Sequence, residues 1–287
     1  MTFVSNDPSW WPAIDFARVF SYFAVASFTA LVYDWALTLG EEVELVWRSH
    51  WSFMTVLYVI VRYVGILYSA MNMLRSLPEV SMTDAVRTIM TFARWSTTFV
   101  INILLGVIMI ARLYAMYQRS RKVLIYLVMF LALPAISGMI GAIESRHMGG
   151  EELILSGTYQ CLERGIIRFL PVIVALILDT VWEVIAMCFA VWNAVKYIFE
   201  LQRPRTRWTI GAVLMQTHVF YFLSFAIVSC LNLGYLFPNF LESYSVGAQI
   251  YSGVGEIAAV VQMFVLGPRL ILNVRGYHAR SAYVCQL

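Results

Sequence analysis

The chain has 287 residues, of which 61% are hydrophobic and only 13% charged, with a formal net charge of +3 and a mean hydropathy of +0.74. A water-soluble domain carries about 25% charged residues, so a wholly soluble globule is excluded. The few positive charges sit between apolar runs, where they orient a membrane protein and build no nucleic-acid-binding surface.

Seven apolar runs reach the roughly 20 residues that a bilayer core requires. The expected fold is all-α: one membrane domain over 1–287, a seven-transmembrane helix bundle that leaves no room for a soluble domain. The first run, Val19–Leu39, has helix-compatible residues as far as Trp47. No basic segment leads into a short apolar run before it, so this helix is expected to serve as the insertion signal. The second run is Trp51–Leu74, the third about Thr88–Tyr117, and the fourth Val123–Ile143 with Pro134 at its middle, a kink position. Between the fourth and fifth runs lies the only long loop, 144–165. The fifth run is about Ile166–Phe199, entering the membrane near Pro171; the sixth is Trp208–Leu233 and the seventh about Val246–Leu272.

Basic residues set the orientation. Eleven of them (Arg48, Arg119, Arg121, Lys122, Lys196, Arg203, Arg205, Arg207, Arg269, Arg275 and Arg280) fall on the side of the C-terminus, and six (Arg18, Arg75, Arg87, Arg146, Arg164 and Arg168) on the other. The positive-inside rule then puts the N-terminus outside and the C-terminus in the cytosol. The expected location is an integral, multi-pass protein of the plasma membrane or another secretory-pathway membrane, with the lipid bilayer as its first partner. Of the four cysteines, Cys161 lies in the outer loop and Cys230 near the outer end of the sixth helix. A bridge between them is open, with a free Cys161 preferred. Neither the cysteines nor the four dispersed histidines have a metal-site spacing, so no metal and no other cofactor is expected.

Ionisable groups inside hydrocarbon cost about 2.5–3.5 kcal/mol each on insertion scales, so each calls for a partner or a task. Asp34, Thr38 and Glu42 recur every four residues and share one face of the first helix. Arg62 on the second helix comes to a depth similar to that of Asp34. The preferred reading of Asp34, Glu42 and Arg62 is an intramembrane charge lock between consecutive helices, ahead of a proton relay. A second set is Asp179 and Glu183, one turn apart on the fifth helix, with Asn102 on the third and Glu256 on the seventh. All four lie about 20–27 Å from the cytosolic ends at a rise of about 1.5 Å per residue. They read either as a ligand pocket open to the outside or as a hydrogen-bond network that fixes packing. A third set, Arg112, Arg119, Arg121, Lys122, Arg203, Arg205 and Arg207, forms a cytosolic rim. It suits anionic headgroups first and a docking partner second.

Other activities are ruled down by residues that are missing. The only lysines are Lys122 and Lys196, neither on the seventh helix, so a retinal Schiff base has no nitrogen. The seventh helix ends in Leu266-Gly267-Pro268-Arg269 and the third in Ala111-Arg112-Leu113-Tyr114, without the switch motifs of rhodopsin-like receptors.

The run Tyr33-Asp34-Trp35-Ala36-Leu37-Thr38-Leu39-Gly40-Glu41-Glu42-Val43-Glu44-Leu45-Val46-Trp47-Arg48, followed by Arg62-Tyr63, resembles the N-terminal signature of a family of basidiomycete membrane proteins, domain of unknown function 6533. Weaker echoes are Arg112-Leu113-Tyr114-Ala115-Met116-Tyr117 and the segment from Arg269 through Asn273 to Arg275. The resemblance implies a fungal seven-helix membrane protein and no activity. Topology and pocket depth favour a receptor-like sensor of a small or lipidic ligand, read out by a cytosolic signalling partner. The alternatives are a membrane enzyme acting on an isoprenoid-like substrate through intramembrane carboxylates, and a transporter or channel, against which the odd helix count and the lack of a repeat argue.

Overall fold

A computed structural model describes residues 3–5, 7–48, 51–77, 84–117, 119–144, 150–155, 158–163, 170–201, 211–234, 245–273 and 275–276. Its helices are α1 (Trp11–Glu42), which runs on as a π turn over Val43–Trp47, α2 (Phe53–Ser76), α3 (Asp84–Met116), α4 (Arg121–Glu144), α5 (Leu170–Leu201), α6 (Gly211–Gly234) and α7 (Val246–Val261). α7 continues through a π turn at Gln262–Leu266 and further helical residues to 273. Among the described residues, six stretches are long and apolar enough to cross a membrane: Pro8–Trp47, Phe53–Ser76, Thr88–Met116, Arg121–Ile140, Ile173–Lys196 and Val246–Asn273. The apolar part described in α6, Val219–Gly234, is shorter than these.

Three boundaries differ from those read in the sequence, each for a local reason. α1 starts eight residues before Val19 because Pro12 falls in its first turn, where a missing N–H costs nothing and the fixed φ favours a helix. A 3-10 turn, Pro8–Trp10, leads into it, capped by Asp7, whose carboxylate accepts from the Ser9 N–H at 2.9 Å. α2 starts on a reciprocal Ser52/Thr55 capping box. The 144–165 loop is not all loop: it carries a short β-hairpin. β2 (Gly150–Leu155) and β3 (Thr158–Glu163) pair antiparallel, with Leu155 opposite Thr158, and β1 (Phe3–Ser5) adds to β2 in parallel.

The described residues pack as two compact units. One comprises Met1–Ile101, Ser145–Ile166 and Glu242–Leu287, and the other Asn102–Glu144 and Ile167–Leu241. In the first unit α1 packs on α2 and α7, and in the second α5 packs on α4 and α6. The side chains in α1 are sorted in the reverse of a helix in water. Its buried stripe holds Ser21, Ser27, Asp34, Thr38 and Glu42 beside Ile14, Ala24 and Leu31, while Tyr22, Val25, Tyr33 and Leu37 are exposed. Much the same holds on α4, where Ile125, Tyr126, Met129, Leu133 and Ile136 face outward. An apolar exterior over a polar seam is stable only where the surrounding medium is itself apolar. This is a multi-pass helical membrane protein.

Candidate functional site

The first unit gathers its charges at one seam. Asp34 is the hub. Its Oδ2 accepts from Arg62 Nη1 at 2.6 Å, and its Oδ1 accepts from Arg269 Nε at 2.7 Å. Arg269 Nη2 lies 2.6 Å from the same oxygen. Arg62 also donates through Nη2 to Thr38 Oγ1, and Thr38 in turn donates to the Asp34 carbonyl at 2.8 Å. One turn on, Glu42 accepts from Tyr58 (3.1 Å), Tyr63 (2.7 Å) and the Trp47 indole (3.1 Å). Arg62, Glu42 and Tyr58 are fully buried, whereas the Arg269 side chain is 45% exposed. Two carboxylates and two guanidinium groups balance, and, while buried Arg62 Nε has no partner among the described residues, every carboxylate oxygen accepts at least one hydrogen bond. That is the condition under which buried charge is tolerated.

The local sequence explains this convergence. On α1 the i, i+4, i+8 spacing aligns Asp34, Thr38 and Glu42. On α2 the buried Thr55, Tyr58, Arg62, Gly65 and Ser69 form the complementary stripe. The π turn at Val43–Trp47 brings Trp47 back over Glu42, five residues earlier. Beyond Arg269, Arg275 closes the seam. It donates to the Leu45 carbonyl at 2.7 Å, to Ser52 Oγ at 2.7 Å and to Thr55 Oγ1. Leu45 sits in the terminal turn of α1, whose carbonyls lack helical partners and attract a cation. Desolvation lowers the Arg275 pKa from the ordinary guanidinium value.

A second polar group in the same unit joins α2, α3 and α7. Glu256 Oε1 accepts from Asn72 Nδ2 at 2.5 Å, and it feels the positive charge of Arg94 and, less, of Arg75. Arg75 donates to Thr91 at 3.2 Å, and Thr98 to the Tyr68 hydroxyl at 3.3 Å. Arg94 lies 5.4 Å from the Trp95 ring centroid. Tyr68, Met71, Asn72, Arg75, Met90 and Arg94 line a cleft of about 10 Å³, room for roughly one water and far below a drug-sized ligand pocket.

The second unit holds the other carboxylates. Glu183 is buried on α5, and its Oε2 accepts from Ser229 Oγ of α6 at 2.5 Å. Asp179, one turn away and half-buried, repels it electrostatically. No cation acts on either carboxylate and no hydrogen bond reaches Asp179, among the described residues. Thr180 turns back to the Leu176 carbonyl at 2.9 Å. Elsewhere in this unit Asn193 and Tyr117 stitch α3 to α5, through the Met116 and Phe189 carbonyls at 3.3 and 2.8 Å.

Residues 22–67 match DUF6533, a family of unknown function. The match takes in the α1 and α2 side of the seam, with Asp34, Thr38, Glu42, Tyr58, Arg62 and Tyr63. It leaves out Arg269, Arg275 and the α5 carboxylates. No match was found among curated proteins.

The structure thus places Asp34, Glu42 and Arg62 in one seam, and Asp179 beside Glu183 on α5. Asn102 is half-buried on α3, in the same unit as Asp179. Glu256 is held by Asn72 within the first unit. Of the basic rim, Arg112 is half-buried, and Arg119, Arg121 and Lys122 are exposed. Arg203, Arg205 and Arg207 lie outside the described residues. Cys230 and Cys188 are free thiols, so Cys230 forms no bridge to Cys161. No group of acids, histidines and cysteines among the described residues is arranged to hold a metal.

Sequence reasoning missed Tyr58, Asn72 and Ser229, and it named Tyr63, Arg269 and Arg275 only within the charge count or the family resemblance, not as site residues. For Tyr58 a signal existed: it precedes Arg62 by four residues, the same spacing that aligns Asp34, Thr38 and Glu42.

Proposed function

We propose that this protein is a receptor-like sensor of a small or lipidic ligand, built as a seven-helix bundle with an outer N-terminus and a cytosolic C-terminus. The observation that carries the reading is the α5 pair. Asp179 and Glu183 sit in an apolar unit with a single hydroxyl, Ser229, bonded to one of them and no cation acting on either, among the described residues. Packing alone does not call for such a pair, because a buried carboxylate without a counter-charge is costly. A ligand bringing N–H or O–H donors to this place would relieve that cost, and its arrival would be felt along α5 and α6. The basic residues Arg112, Arg119, Arg121, Lys122, Arg203, Arg205 and Arg207 would then face a cytosolic signalling partner.

The enzyme alternative draws on the same pair, since a carboxyl group in an apolar site is what acid catalysis on a lipophilic substrate requires. Proximity labelling from a biotin ligase fused to the C-terminus tests the sensor reading. The expected result is labelling of cytosolic proteins, with a profile that changes in Asp179→Asn and Glu183→Gln. A lumenal labelling pattern, or an identical profile in both variants, would overturn it. Loss of product formation by purified Glu183→Gln protein would favour the enzyme.

A further inference from the structure

α7 carries a register error with a cause in its sequence. Pro268 has no N–H for the Phe264 carbonyl, and its ring crowds that oxygen, which disfavours a plain α-helix at this point. The helix widens instead into the π turn Gln262–Leu266. Three contacts of the first unit depend on the register this turn sets. Phe264 lies in a notch on α2 that exists because residue 65 is glycine: a Cβ there would come within 2.6 Å of Phe264 Cγ. Its ring also meets Tyr68 at 5.4 Å between centroids. Arg269 reaches Asp34, and Arg275 reaches the carbonyl of Leu45.

Annealing a π turn to an α turn moves everything beyond it by one residue, about 100° around the axis and about 1.5 Å along it. Arg269 and Arg275 would then leave Asp34 and Leu45 together. The cost of that release is unequal across the seam. Asp34 keeps Arg62, which is fully buried and bonded to Thr38, so Asp34 itself is not orphaned. Arg269 is already 45% exposed. The seam therefore has a permanent half, α1 with α2, and an exchangeable half on α7.

We propose that the π turn of α7 is a two-position latch, in which Arg269 on Asp34 marks the closed register and its release marks the open one. This stands on the first unit alone and does not depend on the ligand reading at α5.

The test is the distance distribution between spin labels at Phe53→Cys on α2 and Asn273→Cys on α7, in otherwise cysteine-free full-length protein in lipid nanodiscs. The expected result is one dominant distance in the parent, with a second position at the level of a minor state, about 0.1–10%. Pro268→Ala, which restores the missing N–H, makes the second distance the major one. Arg269→Gln enriches it several-fold, and Arg269→Lys does so less. Superimposable distributions in the parent, Pro268→Ala and Arg269→Gln proteins would overturn the latch. Should the variants not fold, hydrogen exchange on the unmodified protein decides. The latch requires amides of 262–266 to exchange faster than those of the helical turns on both sides, and equal protection overturns it.

Discussion

The seam around Asp34 and the pair at Asp179 and Glu183 are both carboxylate sites inside apolar helices, yet their surroundings are opposite. At Asp34 every charge is answered: two arginines hold one carboxylate, while two tyrosines and an indole hold the other. At Asp179 and Glu183 two acids share one serine hydroxyl. The first arrangement is what holding helices together needs. The second leaves interaction capacity unused, and that is what a binding or chemical site needs. Under the proposed function, it is the under-compensated pair that takes the ligand.

The comparison predicts unequal costs of mutation. Asp34→Ala strands the fully buried Arg62 and should cost about 3–5 kcal/mol, read as a large drop in midpoint when the protein is unfolded in mild detergent. Gly65→Ala pushes a methyl group into Phe264 and should cost about 1–3 kcal/mol by overpacking. Gly40→Ala, where nothing lies near the added Cβ, is the matched control and should show no loss. Tyr63→Phe removes a donor from the Glu42 carboxylate and should cost about 1.5–3 kcal/mol, the range for a hydrogen bond to a charged group. A smaller, opposite effect is expected at the α3–α4 turn. Arg119 holds φ at 64°, in the left-handed region that disfavours side chains, so Arg119→Gly should stabilise by up to about 1 kcal/mol. If Tyr63→Phe and Asp34→Ala were both neutral, the seam would not be the structural half of the comparison.

The sequence made the near-diagonal part of this picture readable. A four-residue recurrence put Asp34, Thr38 and Glu42 on one face, and the rise per residue brought Arg62 level with Asp34. Periodicity and depth are local quantities, and they sufficed for contacts between consecutive helices. The contact of Arg269 with Asp34 escaped because it spans 235 positions, which neither a charge count nor a motif at a helix end reveals. Tyr58 and Tyr63 escaped because tyrosine in a membrane helix also serves as an interfacial anchor. The β-hairpin in the 144–165 loop had a signal in the sequence, Ser156-Gly157 between two strand-length runs, which apolar-run counting passes over. The α5 pair was legible as two acids one turn apart. Its single partner, Ser229, was not, because a serine in a membrane helix is common and depth does not choose among them.

The most direct test compares Glu183→Gln with Asp34→Asn by equilibrium unfolding of the purified protein in the same detergent. A site kept for function, with no counter-charge, predicts that Glu183→Gln leaves stability unchanged or raises it, while Asp34→Asn lowers it by kilocalories. Equal destabilisation by the two would contradict the account and make the α5 carboxylates a packing device like the seam.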